Sequence, residues 1–266
     1  MIYHRNSDGV IEFDVFAKNK SFIELDSKKY YYKDTNISEM FNELIGSVIA
    51  EEFGIDHLKY INVINEDGFF GVISEDFVND YTYLSMDSVF KDIIGLDYIG
   101  NYQKYNNLKD INLCIETKFN LDLSDFVSKL FVLDSLTANS DRHPSNYGFL
   151  IKDGIVKPAP VFDNEMLLSE DGLDSLYGIK VNRDDRYPYD YDIESNYLYK
   201  FFQNYSKYKD FYFSKLPIIS DSNILRIIER VEDESRMVIP PVLKEGIIEN
   251  FKCNNIMINK VMKKTG

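Results

Sequence analysis

The stretch Asn139-Ser140-Asp141-Arg142-His143-Pro144-Ser145-Asn146-Tyr147 decides how this chain is read. Upstream, Phe126, Val127, Leu130, Phe131 and Leu133 recur at helical spacing. Downstream, residues 147–151 and 155–159 have the composition of two strands joined by the turn Lys152-Asp153-Gly154. The polar stretch is therefore a loop held between two rigid elements. A second oxygen-rich point, Val161-Phe162-Asp163-Asn164, follows the hairpin, and Asp163 comes 17 residues after Asn146. A hairpin returns the chain beside its own start, so Asp163 is placed to share a metal site with Asn146. Hard oxygen donors of this kind suit Mg²⁺, which takes one or two carboxylates and keeps its other positions for water and phosphate.

Asp141 and Asn146 are five residues apart. An Asp that takes a proton from a hydroxyl, followed by an Asn that holds Mg²⁺, is the working arrangement of a kinase catalytic loop. Asp163 then occupies the place of the metal-binding Asp of D-F-G, with Phe162 before it and Asn164 after it. Far upstream, Lys33 ends the run Tyr30-Tyr31-Tyr32-Lys33, and Glu43 lies in the helical segment that follows. A strand Lys paired with a helix Glu is how a kinase aims an ammonium at the α- and β-phosphates, and the partner keeps a buried Lys charged. Lys28 and Lys29 compete with Lys33 for this role, and Glu39 competes with Glu43. Without its partners Asp141 would read as an ordinary turn or cap residue; its spacing to Asn146 and Asp163 favours catalysis. His143 is expected to hold the loop by hydrogen bonds, and Asn164 to brace the metal loop. Arg142 is expected to meet either a phosphorylated loop or an acid within the fold. The tyrosines at 187–199 are expected to pack and anchor a loop.

Around these points the chain separates into two parts. Short strands are expected at 10–16, 22–25, 30–33, 61–65 and 69–73, the last two as a hairpin around Glu66-Asp67-Gly68. One helix interrupts them. Asn36-Ile37-Ser38-Glu39 has the form of a capping box, Met40, Phe41, Leu44, Ile45, Val48, Ile49 and Phe53 form its apolar stripe, and Gly54 stops it. From residue 79 the pattern is mostly helical, with helices expected at 86–94, 106–119, 122–138, 192–204, 221–234 and 241–262. The expected fold is α+β and bilobal: a small β-rich N-lobe at 1–78 with one helix, a hinge near 74–79, and a larger, mostly helical C-lobe at 79–266. A cleft between two lobes is a usual place for a small-molecule site.

Composition bounds the function. The 266 residues carry 30 Lys and Arg against 44 Asp and Glu, a net charge of −14. That balance argues against a nucleic-acid module, which shows a basic face, and against docking on anionic lipid. The 44% hydrophobic content is that of a folded chain. Cys114 and Cys253 are too far apart to suggest a zinc site and read as reduced thiols inside helices. No apolar run is long enough for a membrane span, and the N-terminus has no signal-peptide pattern. The expected location is the cytoplasm, or export as an effector without a readable signal.

The sequence resembles the HipA-like kinases of bacteria. Their catalytic loop, N-x-D-R-H-x-x-N, is matched at every fixed position by 139–146, and their later P-x-(F/Y)-D-N by Pro160-Val161-Phe162-Asp163-Asn164. Their helix pattern is echoed by Asn42-Glu43 and Gly54. The resemblance spans residues 30–170, and Lys33 comes too early for the extra N-terminal subdomain of larger members, so the compact, CtkA-type form is implied. It implies an ATP- and Mg²⁺-dependent Ser/Thr protein kinase, with Asp141, Lys33 and Glu43 catalytic and Asn146 and Asp163 holding the metal. By the same resemblance, backbone groups of Glu75 and Phe77 would meet the adenine. Ser21 belongs to a nucleotide loop, where it would supply a hydroxyl or be autophosphorylated. That loop, Ala17-Lys18-Asn19-Lys20-Ser21-Phe22, contains no Gly. A toxin or effector role, a protein substrate and a helix-turn-helix antitoxin-like partner are further implications. The alternatives are a phosphoinositide or small-molecule kinase, since lipid kinases also use a D-R-H-x-x-N loop, and a nucleotide-binding pseudokinase or regulatory module.

Overall fold

The structure is a computed structural model that describes residues 3–5, 11–13, 20–25, 28–65, 68–95, 108–139, 142, 144–165, 167 and 209–265. The first described elements are strands β1 (Tyr3–Arg5), β2 (Ile11–Phe13), β3 (Lys20–Leu25) and β4 (Lys28–Asp34). Helix α1 (Ile37–Phe53) follows, then β5 (Tyr60–Asn65) and β6 (Phe70–Glu75). The six strands make one sheet in the order β1-β2-β5-β6-β4-β3, antiparallel except where β2 runs parallel to β5. Side chains alternate across it. Tyr32 and Ile73 pair on one face and join a small core with Ile23, Leu25 and Val63. Their neighbours Lys33 and Val72 also pair, and with Tyr31 and Ser74 they turn to the opposite side, where a cavity opens.

Helix α1 begins and ends where the sequence places it. Glu39 N–H donates to Asn36 Oδ1 and Asn36 N–H donates to Glu39 Oε2, both at 2.9 Å. Gly54 closes the helix in the left-handed region with φ 77°. The helix is buried on nearly all sides rather than along one stripe, as expected of an element packed between two layers. Its residues Met40, Phe41, Ile45 and Phe53 belong to the main core, shared with the later helices.

Those helices are α2 (Met86–Ile94), α3 (Leu108–Phe119), α4 (Ser124–Thr137), a short α5 (Lys209–Lys215), α6 (Asp221–Ser235) and α7 (Pro241–Thr265). Cys114 is buried in α3. A second, three-stranded antiparallel sheet joins β7 (Thr82–Ser85), β8 (Gly148–Lys152) and β9 (Ile155–Pro158). The turn between β8 and β9 has two successive left-handed residues, Asp153 at φ 50° and Gly154 at φ 79°, the backbone of a type I′ hairpin. The strand β7 and helix α5 were not expected; each is short, and β7 exists by pairing with β8 across more than sixty residues. The helix expected at 192–204 lies outside the described residues. No helix among them is long and apolar enough to cross a membrane.

Candidate functional site

Strand β4 and helix α1 bring the first two site residues together. Lys33 ends the cleft-facing side of β4, and Glu43 sits in the second turn of α1. Lys33 Nζ donates to Glu43 Oε1 at 2.9 Å, with the Glu43 side chain fully buried. The competing residues are engaged elsewhere. Lys28 pairs with Glu75 on the surface, Lys29 pairs with Asp76, and Glu39 completes the cap of α1. Lys33 also pairs with Asp163, and with Glu165 Oε2 at 2.7 Å. Burial alone would lower the Lys33 pKa, but the carboxylates of Glu43 and Asp163 outweigh it and hold the ammonium well above its ordinary value.

The segment 161–167 carries Asp163 into this position. It is fixed to α1 from two sides. Asn164 N–H donates to Glu43 Oε2 at 2.7 Å, and Asn42 Nδ2 donates to the carbonyls of Glu165 and Leu167 at 2.8 and 2.9 Å. Gly46 permits the approach. A Cβ there would lie 2.5 Å from Asn164 Cβ, which no ordinary contact allows. Asp163 itself is left-handed at φ 61°, a conformation that costs a non-glycine residue on the order of 1 kcal/mol or more and clusters at functional sites. Its N–H donates to the Tyr60 hydroxyl at 3.1 Å, and burial keeps that phenol protonated.

Asn146 ends the 3₁₀ turn Pro144–Asn146 and is buried. The link between it and the 161–167 segment is Arg142. Its guanidinium, on a fully buried side chain, donates through Nη1 to the carbonyls of Asn146 (3.1 Å) and Phe162 (2.5 Å) and through Nη2 to Asn164 Oδ1 (2.8 Å). Nε donates to both oxygens of Asp134, at 3.2 and 3.1 Å. Among the described residues, Arg142 meets one of its two expected partners, the acid within the fold. Asn164 braces the loop as expected.

The cavity in front of these groups holds about 240 Å³. Tyr31, Lys33, Val72 and Ser74 form its sheet side, and Phe162 and Asp163 its opposite side. Phe77 closes the hinge end, stacked on Phe162 at 5.6 Å and 29° and edge-on to Tyr83. The exposed Glu75 side chain turns outward to Lys28; Asp76, whose Oδ1 accepts from Val78 N–H at 3.1 Å, lines the cavity instead. Ser21 lies on β3 opposite Tyr32, and nothing of its side chain is described. Asp141 and His143 lie outside the described residues.

Three titratable residues here escaped the sequence reading. Asp134 had a signal, a lone carboxylate in the apolar run Leu130–Leu136 of α4. Glu165 stood two residues past Asp163, and Tyr60 looked like any strand tyrosine. Glu43, Asp163 and Glu165 bring carboxylate oxygens within 4.8 Å of one another, and the Lys33 ammonium sits among them. The ammonium satisfies these carboxylates as the structure stands; of the three, Asp163 is the one that lines the cavity, where a hard oxygen donor suits a divalent cation accompanied by phosphate.

No protein-family model and no curated protein matches the sequence. Solved structures do. The proinflammatory kinase CtkA of Helicobacter pylori superposes with a TM-score of 0.71 at 19% identity, covering 97% of this chain and 100% of that one. HipA of the Shewanella oneidensis toxin–antitoxin system, solved with HipB and operator DNA, superposes with a TM-score of 0.55 at 14% identity. The match covers 92% of this chain and 64% of the HipA chain. At these identities the likeness is one of fold, and the chain has the α+β fold of the HipA-like kinases.

Proposed function

We propose that the chain is an ATP- and Mg²⁺-dependent protein kinase of the HipA-like family, acting on Ser or Thr. The observation that carries the reading is the buried Lys33–Glu43 pair, set directly against Asp163 and bounded by the cavity. Residues 1–78 and 79–266 are read as its two lobes. Lys33, held by Glu43, would meet the α- and β-phosphates, with the backbone near Glu75 and Phe77 on the base. Asn146 and Asp163 would hold Mg²⁺, which supplies charge neutralisation to the phosphates when bound. Asp141 orients the substrate hydroxyl and accepts its proton. Phosphoryl transfer of this kind needs positioning and electrostatics more than covalent chemistry. The strongly acidic chain suits a neutral or basic protein better than an anionic lipid. Ser21 is a candidate autophosphorylation site, and a helix-turn-helix antitoxin-like protein is a candidate partner.

Transfer of labelled phosphate from ATP in cell lysate tests the reading, with Asp141→Ala and Asp163→Ala as comparisons. Loss of a general base costs about 10²- to 10⁴-fold in rate, so Asp141→Ala is expected to bind ATP and transfer nothing measurable. Wild-type transfer by Asp141→Ala would refute the assignment. Binding of Mg²⁺ and ATP by the wild type with no transfer would favour a nucleotide-binding module instead, a reading that the Gly-free loop at 17–22 supports.

A further inference from the structure

The Asp134–Arg142 pair does more than fill the core, and we infer that Asp134 is a positioning residue of the phosphoryl-transfer site, acting through Arg142 to hold the Asn146 and Asp163 segments at a fixed separation. The inference rests on the kinase reading above for what the separation is used for, and on the hydrogen bonds alone for the brace itself.

Asp134 lies in the last turn of α4, within a stretch, 130–137, that is buried throughout. Its carboxylate reaches both ends of the loop that contains Asp141. At the near end, Asn139 Nδ2 donates to Asp134 Oδ1 at 3.3 Å, and Asn139 N–H donates to the Asp134 carbonyl at 3.0 Å. At the far end, Arg142 passes the constraint to the Asn146 carbonyl. The same guanidinium holds Phe162 and Asn164, the residues on either side of Asp163. One planar, rigid group therefore spans two segments that are distant in sequence. Each of those segments carries one of the two proposed metal-binding side chains.

The choice of an ion pair also points to geometry. Both side chains are buried, at 0% and 1% exposure. Desolvating two charges is expensive, and an apolar pair of similar volume is often as stable or more so. What an apolar pair cannot do is direct donors to two carbonyls and an amide oxygen at once. A guanidinium can, because its donors are fixed in one plane, and Asp134 sets that plane by engaging Nε with both oxygens. Groups that orient metal ligands from behind typically change metal affinity by about 10- to 100-fold when removed.

The test uses the full chain, Mg²⁺ and a non-hydrolysable ATP analogue. Binding of the analogue is titrated calorimetrically against Mg²⁺, and amide hydrogen exchange is measured without nucleotide. The double variant Asp134→Leu/Arg142→Met removes the brace and both charges together, so it separates positioning from charge burial. Expected are a half-saturating Mg²⁺ concentration raised about 10- to 100-fold, a smaller change in affinity for the analogue without Mg²⁺, and faster exchange in both 144–147 and 161–165. Asp134→Asn, which keeps the shape and an acceptor for Nε, covers the case in which the double variant does not fold; it should shift the Mg²⁺ titration in the same direction. A folded variant of either kind with the wild-type Mg²⁺ requirement and wild-type exchange overturns the inference. If the wild type itself shows no Mg²⁺-dependent binding, the kinase reading fails. The exchange comparison then decides by itself whether Asp134 holds the two segments.

Discussion

Adding one methyl group at Gly46 tests whether the contact between α1 and the 161–167 segment is as tight as the structure has it. Two effects oppose each other in Gly46→Ala. Alanine favours the helix by about 0.5–1 kcal/mol. Against that, the new Cβ would lie 2.5 Å from Asn164 Cβ and 2.8 Å from Leu167 Cδ1. Comfortable carbon–carbon contact needs about 3.5–4.0 Å, so the segment must withdraw by roughly 1 Å. Overpacking of a filled core costs about 1–3 kcal/mol. Asn164 is tied to Glu43 and Arg142 and cannot yield easily, which places the cost in the upper part of that range. The expected net loss is about 2 kcal/mol, or roughly 4–8 °C in Tm for a chain of this size.

The same displacement moves Asp163 away from Lys33, and a misplacement of about 1 Å can cost on the order of 100-fold in rate. Gly246→Ala is the matched control. It makes the same backbone change in α7, where a Cβ would meet nothing within 4 Å, and it should stabilise the chain by about 0.5–1 kcal/mol. Urea unfolding and labelled phosphate transfer read both effects. If Gly46→Ala matched Gly246→Ala in stability and retained wild-type transfer, the packing argument would be refuted.

Glu43→Gln removes one partner of a buried pair. That generally costs about 3–5 kcal/mol; Lys33 keeps Asp163 and Glu165, so about 3 kcal/mol is expected in denaturant titration, with weaker ATP binding, and a loss below about 0.5 kcal/mol would contradict the pairing. Glu165→Gln should act in the opposite direction on the ligand, because Glu165 competes with phosphate for Lys33. Freeing an ammonium from a partly exposed partner worth about 1 kcal/mol predicts roughly fivefold tighter nucleotide binding by calorimetry, and unchanged or weaker binding would show that Glu165 is not a competitor. Asp134 gives a pH dependence. Burial pushes its carboxyl up from 3.8 to about 6, with Arg142 opposing. The folded chain therefore binds the extra proton between these values, and the contribution to stability is present below pH 3.8 and lost as pH rises through about 6. A shift of this size is worth roughly 3 kcal/mol. The stability of the wild type relative to Asp134→Asn should accordingly fall between pH 4 and pH 7, and a pH-independent difference would mean that the Asp134 pKa is not raised.

The parts of the fold that could be read in advance are those whose signals are local. The capping box at Asn36, the stop at Gly54 and the Asp153-Gly154 turn each depend on residues within a few positions, and each is where it was expected. Strand β7 depends on β8, more than sixty residues away, and four residues carry too little alternation to announce it. The sheet order is of the same kind. Nothing in residues 11–13 indicates that β2 runs parallel to β5, because a parallel neighbour is chosen by the whole layer rather than by the strand's own residues.

The candidate site divides along a similar line. Lys33, Glu43 and Asp163, which meet in the structure, and Asn146 were singled out in advance because the phosphoryl transfer proposed for this chain calls for particular groups in a particular order, and order is visible in sequence. Asp134 and Gly46 serve those groups from behind. Their requirement is geometric, and geometry leaves only an oddity in the pattern: one carboxylate in the apolar run of α4, one glycine inside a well-capped helix. Each oddity has a cost that the local structure does not recover. A glycine weakens its helix by about 0.5–1 kcal/mol, and burying a charge costs several kcal/mol before any partner is counted. A local cost without local return has to be repaid by a contact elsewhere, and both contacts lead to Asn164, one through the close approach at Gly46 and the other through Arg142. Two departures from good local design that converge on Asn164 show that the Asp163 segment is held in place at a cost in local stability.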